Sequence, residues 1–146
     1  MRRPLVLAAL SLALALPACR QEPVKYPPEC SNGPEAVRTA LARAPSGEVA
    51  LEGVKLSECL VRSQEGGPLA AVGGTVVTVA QGLSDRAERG DKRALVELGY
   101  LNGAVERGAD PTVHDELQFR LNVELQRVNR RAAEFRRGEA AGRERG

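Results

Sequence analysis

Leu69, Val72, Val76, Val79, Leu83 and Ala87 recur at intervals of three and four, and that spacing restricts the second half of the chain to packed helices. A strand competes for residues 75–79, where Thr75, Val76, Val77, Thr78 and Val79 are mostly β-branched. Adjacent Val76 and Val77 break strict alternation, so the spacing favours a helix with Gly73-Gly74 as its weak point. Ala94, Leu98, Leu101 and Val105 form a second stripe, in a helix from Asp91 to Arg107 that Gly108 is placed to end. Beside that stripe, Gly99 and Gly103 predict close approach by another helix; the alternative is a ligand lying against bare backbone. A third stripe, Val113, Leu117, Leu121, Leu125, Val128, Ala132 and Phe135, predicts one long helix over residues 112–137. Phe119 and Val123 are expected to widen its buried face, and Arg120–Glu124 and Arg130–Glu134 to pair on its wet side.

The first half is more broken. Asn32-Gly33-Pro34-Glu35 has the order of a helix start, and Pro45-Ser46-Gly47 stops it, giving a short helix over residues 34–44. Alternation of Val49, Leu51, Val54 and Leu56 with polar residues marks an extended connector or strand pair. It leads to Ser57, which is expected to cap a short helix carrying Cys59 and Leu60. Residues 138–146 contain no apolar side chain larger than Ala, and are expected to be a disordered tail. With only Tyr26, Tyr100, Phe119 and Phe135 as aromatics, the core must be built from Leu, Val and Ala.

The front of the chain concerns location rather than fold. Met1-Arg2-Arg3 followed by the uncharged run from Leu5 to Leu16 has the layout of a secretory signal. As a helix that run rises roughly 18 Å, short of the ~30 Å hydrocarbon core of a bilayer. An ordinary cut after Ala15, with Ala13 two residues before it, is one outcome. The other rests on Leu16 at −3, Ala18 at −1 and Cys19 at +1, which resemble the lipobox of bacterial lipoproteins, with Pro17 where Ala, Ser or Thr is commoner. That resemblance implies removal of residues 1–18, a diacylglyceryl group on the Cys19 thiol, and a lipid-anchored protein on the extracytoplasmic face of the cell envelope. Three prolines among residues 19–29 then make an extended tether, which favours a spacer over a ligand for another protein.

If Cys19 carries lipid, the odd cysteine count resolves, and Cys30 and Cys59 are left to pair as a disulfide. Metal ligation would need more partners than His114, the only histidine. The net charge of +2 comes entirely from Arg2 and Arg3, so the mature chain has no basic excess and nucleic acid is not expected as a partner. Locally, the seven arginines and three glutamates from Arg127 onward read as a solvated helix end or as a contact for anionic lipid or wall polymers. No nucleophile elbow, paired-histidine metal motif or phosphate loop is present, and no cofactor is implied. His114-Asp115-Glu116 sets an imidazole beside two carboxylates, but acids suit a helix N-terminus and adjacent helical residues diverge.

Together these readings predict an all-α domain over residues 30–137, a disulfide-stapled bundle of three to four main helices behind the tether. The expected role is non-catalytic: a structural or protein-interaction module with an envelope protein as possible partner. The alternative is a carrier holding a small apolar or lipid ligand in the bundle interior.

Overall fold

A short staple sets the beginning of the structured chain. The computed structural model describes residues 25–146. A 3-10 turn at Pro28–Ser31 brings Cys30 to Cys59, and the two form a disulfide with their Cα atoms 5.5 Å apart. Helix α1 (Gly33–Leu41) follows and buries Val37, Ala40 and Leu41. Its N-cap, Asn32, makes no side-chain cap; the amide donates instead to Glu52 Oε1 at 3.0 Å.

The alternating stretch closes into a minimal antiparallel hairpin, β1 (Ala50–Leu51) and β2 (Val54–Lys55), pairing Ala50 with Lys55 and Leu51 with Val54. Its two turn residues, Glu52 (φ 49°) and Gly53 (φ 91°), both adopt positive φ, as a two-residue turn matched to strand twist requires. Helix α2 (Leu56–Arg62) starts directly after β2. Ser57 therefore lies inside the helix and is not its cap; its hydroxyl donates to the carbonyl of Gly146.

Helix α3 (Gly66–Glu88) runs unbroken through Gly73-Gly74 and buries Val72, Val76, Val79 and Leu83, as the stripe predicts. Arg89-Gly90 turns the chain into α4 (Lys92–Gly108). Asp91 caps α4, accepting from the backbone N–H groups of Arg93 at 2.9 Å and Ala94 at 3.1 Å. It also accepts from Arg86 Nη2 at 2.7 Å, which ties the ends of α3 and α4.

These bonds hold the Asp91 carboxyl below the ordinary carboxylate range, chiefly through the Ala94 N–H and then the Arg86 guanidinium. The charged form is favoured in the folded chain, so this stabilisation is complete above the unfolded value of about 3.9 and is lost as the pH falls below it. Asp91→Asn keeps a capping side chain without the charge. Its melting temperature should therefore fall less steeply than that of the parent between neutral pH and about pH 2. Parallel acid limbs in the two melting series would refute this. Asp91→Ala, which loses the cap as well, should cost about 1 kcal/mol at neutral pH.

Helix α4 is the centre of the fold: from Ala94 to Val105 every residue except Leu95 is buried. Helix α3 packs on one flank and α6 on another, while α2 also rests on α4. Gly108 is the last residue of the helix, and Ser57 of α2 lies where a Cβ there would sit. A buried carboxylate, Glu97, is held between Arg86 Nη1 at 3.3 Å and Arg93 Nε at 3.2 Å.

The long final helix expected over residues 112–137 is two helices, α5 (Asp115–Leu125) and α6 (Ala133–Arg145). Among the described residues six α-helices thus replace the three to four main helices expected. Between α5 and α6 the chain turns back, with Asn129 Oδ1 accepting from the Arg131 N–H at 3.0 Å. Arg127 anchors the turn, reaching Asp85 and Glu88 of α3 at 2.6 Å each and Glu124 at 2.7 Å. The expected pairs are redistributed: Arg120 bonds Glu116, and Glu134 lies 3.7 Å from Lys92.

The segment expected to be a disordered tail is the second half of α6, and Gly138, Ala141 and Gly142 are buried there. Its partner is the glycine face of α4. Gly99 lies against Phe135 and Glu139, and Gly103 against Glu139 and Arg143, so the two helices run in the same direction. A Cβ at Gly138 or Gly142 would fall closer than 3.0 Å to the backbone of Val96 or Tyr100. Asn102 Nδ2 donates across this seam to Glu139 Oε1 at 2.8 Å.

Candidate interaction surface

Cys19, the residue on which the anchor reading depends, lies outside the described residues. Cys30 and Cys59 are buried and joined, which removes both as metal ligands or nucleophiles. Among the described residues no three His, Cys, Asp or Glu side chains converge as a metal set, and no helix is long and apolar enough to cross a membrane.

His114 is buried away from its neighbours Asp115 and Glu116, which are exposed in the first turn of α5. Its Nδ1 accepts from the backbone N–H of Asp110 at 3.0 Å, so the ring proton sits on Nε2. Nε2 faces Ser63 Oγ at 3.4 Å, and that hydroxyl donates to the Leu60 carbonyl at 3.0 Å. The chain of donors runs from imidazole to serine to backbone, opposite to the direction in which a base would activate the hydroxyl. This trio fastens the start of α5 to the end of α2.

Of the seven arginines from Arg127 onward, Arg127, Arg130, Arg143 and Arg145 are engaged within the fold, while Arg131, Arg136 and Arg137 are exposed. Arg127 bridges α3 and α5, and its guanidinium is held protonated more firmly than usual by Glu88, Asp85 and Glu124. Arg143 pairs with Glu106, and Arg145 donates to the Pro45 carbonyl. Removing residues 137–146 would strip half of α6 from the core, so that truncation would not report on a surface contact.

An open concavity lies between α3 and α5. Gly66, Ala70, Gly73 and Gly74 form a floor of small residues, and Leu69, Val77, Val113 and Leu117 line it with apolar side chains. Its volume is about 400 Å³, and the Glu116–Arg120 pair stands at its rim. No protein-family model matches the chain, and comparison with curated proteins and with solved structures returns no match. The surface must therefore be read from its own chemistry.

The two helices beside the groove run in the same direction: Ser84 Oγ donates to the Glu124 carbonyl at 3.3 Å near their C-terminal ends. Leu117, Leu121 and Leu125 hold α5 to the core. Phe119 and Val123, expected to widen that buried face, point the other way and are 67% and 45% exposed. They lie one turn apart on the outer side of α5, an apolar pair on an otherwise charged surface. In the sequence the groove was hidden because Leu69 belongs to the stripe that otherwise faces the core, while Val77 stood out only as the neighbour of Val76.

Proposed function

We propose that the chain is a non-catalytic, lipid-anchored protein of the bacterial cell envelope, whose helical body is an interaction module held near a membrane by Cys19. The observation that carries the reading is a contrast between inside and outside. The interior void, beneath the disulfide, measures about 20 Å³, room for one water. Small-molecule sites typically occupy about 300–1,000 Å³. The α3–α5 groove is open, largely apolar and twentyfold larger than that void by its volume of about 400 Å³. A carrier would need the opposite distribution, so the contrast supports contact with another envelope protein over an enclosed apolar ligand.

The test places a photoreactive residue at Ala70, on the groove floor, in the native envelope. A discrete adduct with one envelope protein is expected, and Gly74→Leu should abolish it. A Cβ at Gly74 meets nothing within 4 Å, so leucine there fills the groove and spares the core. Adducts that persist unchanged in Gly74→Leu would remove the groove as the contact. Labelling with a fatty-acid analogue, lost in Cys19→Ser, tests the anchor.

A further inference from the structure

The point where the chain enters the domain fixes which surface lies nearest an anchor at Cys19. Lys25 is held there, its carbonyl accepting from Arg62 Nη1 at 3.4 Å. Five residues lie between Cys19 and Lys25, a span of at most ~22 Å even when fully extended. The C-terminal end of α2 therefore stays within reach of the leaflet surface on any path of the tether.

Around this entry point basic side chains outnumber acidic ones. Lys55, Arg62 and Arg107 line a shallow concavity of about 390 Å³ with Ser57, Glu58 and Val61, and Lys25 adjoins Arg62. Among the described residues none of these four cations forms an ion pair. Arg86, Arg127 and Arg143 meet carboxylates, whereas among the described residues Arg43, Arg89, Arg131, Arg136, Arg137 and Arg145 do not, so what distinguishes this group is its clustering beside the entry of the chain. Arg107 is fixed in place by the carbonyl oxygens of Arg143 and Glu144, which orient the guanidinium and leave its charge uncompensated. Glu58 is the single carboxylate side chain of the concavity. In the middle of the group Val61 is 55% exposed, although α2 has a core to face.

We infer that this face of α2 is a membrane-contact surface that docks on anionic phospholipid: Lys25, Lys55, Arg62 and Arg107 meet the headgroup phosphates while Val61 enters the interfacial layer. The inference rests on the anchor reading of Cys19. Each cation near an anionic surface contributes modestly, and one valine adds little, so the patch would bind weakly alone. A short tether changes this, because it holds the patch at high effective concentration above the leaflet.

The chain contains no tryptophan, so Val61→Trp gives the full-length protein a single fluorescent reporter at the proposed contact. It is placed on vesicles of phosphatidylcholine with brominated acyl chains, with or without about one-third phosphatidylglycerol. Quenching and a blue shift are expected on the anionic vesicles only, weakening with salt. A Phe119→Trp reporter on α5 should stay unquenched on both. Lys55→Gln with Arg62→Gln should lower the docked-to-undocked ratio about thirtyfold. Equal emission of the Val61→Trp protein on the two vesicle types, or quenching no greater than at residue 119, overturns the contact face. The mass of the same preparation reports acylation at Cys19, so a failed anchor is recognised separately. Unacylated protein should show the same anionic-only quenching at higher lipid concentration, and quenching that is equal on the two vesicle types at saturating lipid overturns the contact face there too.

Discussion

Gly142→Ala is expected to destabilise the domain by about 3 kcal/mol or more, although it adds a single methyl group to a helix. The methyl would overlap the Tyr100 carbonyl and press into the Ala104 nitrogen, well inside van der Waals contact. Both are backbone atoms of α4, so no side chain can swing aside. Relief requires α6 to move away from α4, which opens the seam from Gly99 to Gly142 and uncovers Phe135 and Ala141. Gly82→Ala is the matched contrast. It lies within α3, a Cβ there meets nothing within 4 Å, and the substitution should stabilise by roughly 0.5–1 kcal/mol. Chemical denaturation of the two variants beside the parent decides the matter; equal midpoints for all three would mean the seam does not hold the fold.

Loss of the Cys30–Cys59 disulfide should have an effect of similar size. The bond closes a loop with a sequence separation of 29, for which chain entropy gives roughly 3–4 kcal/mol. Total stabilities of single domains are about 5–15 kcal/mol, so the bond is a large fraction of the whole. The Cys30→Ser, Cys59→Ser double variant should unfold at markedly lower urea, and a reductant should shift the parent by the same amount while leaving the variant unmoved. A parent indifferent to reductant would contradict the assignment. The loss should be felt first at the hairpin and α1, since Cys30, Val37, Leu51, Leu56 and Cys59 share one packed region around the interior void.

Much of the helical architecture was legible because its signals were local. The helix start expected at Asp91 is where α4 begins, with Asp91 as its cap, and the α3 stripe is buried at Val72, Val76, Val79 and Leu83. Gly99 and Gly103 announced a close neighbour, although not its identity. That neighbour was invisible for a physical reason: the buried face of α6 is largely glycine and alanine, which hydropathy reads as neutral. Burial of Gly138 and Gly142 comes from shape, through backbone contact with α4, and leaves no apolar periodicity behind.

The break between α5 and α6 escaped for a related reason. Residues 126–132 contain neither Gly nor Pro, and the stripe continues through Val128 and Ala132 to Phe135. The turn is imposed from outside, by Arg127 binding α3 and by the demand that α6 lie along α4. Exposure of Phe119 and Val123 follows from the same break. A shorter α5 needs only its Leu117, Leu121 and Leu125 edge to reach the core, so the opposite edge is left to solvent.

The shared direction of α4 and α6 also bears on how the molecule comes into being. The helix around which the others gather is completed by residue 108, yet the strand of backbone that covers its bare flank arrives only after residue 132. Until residues 133–145 are in place the middle of the protein stays half dressed, so a chain cut short before Ala133 would keep most of its helices and lose the contact that covers α4.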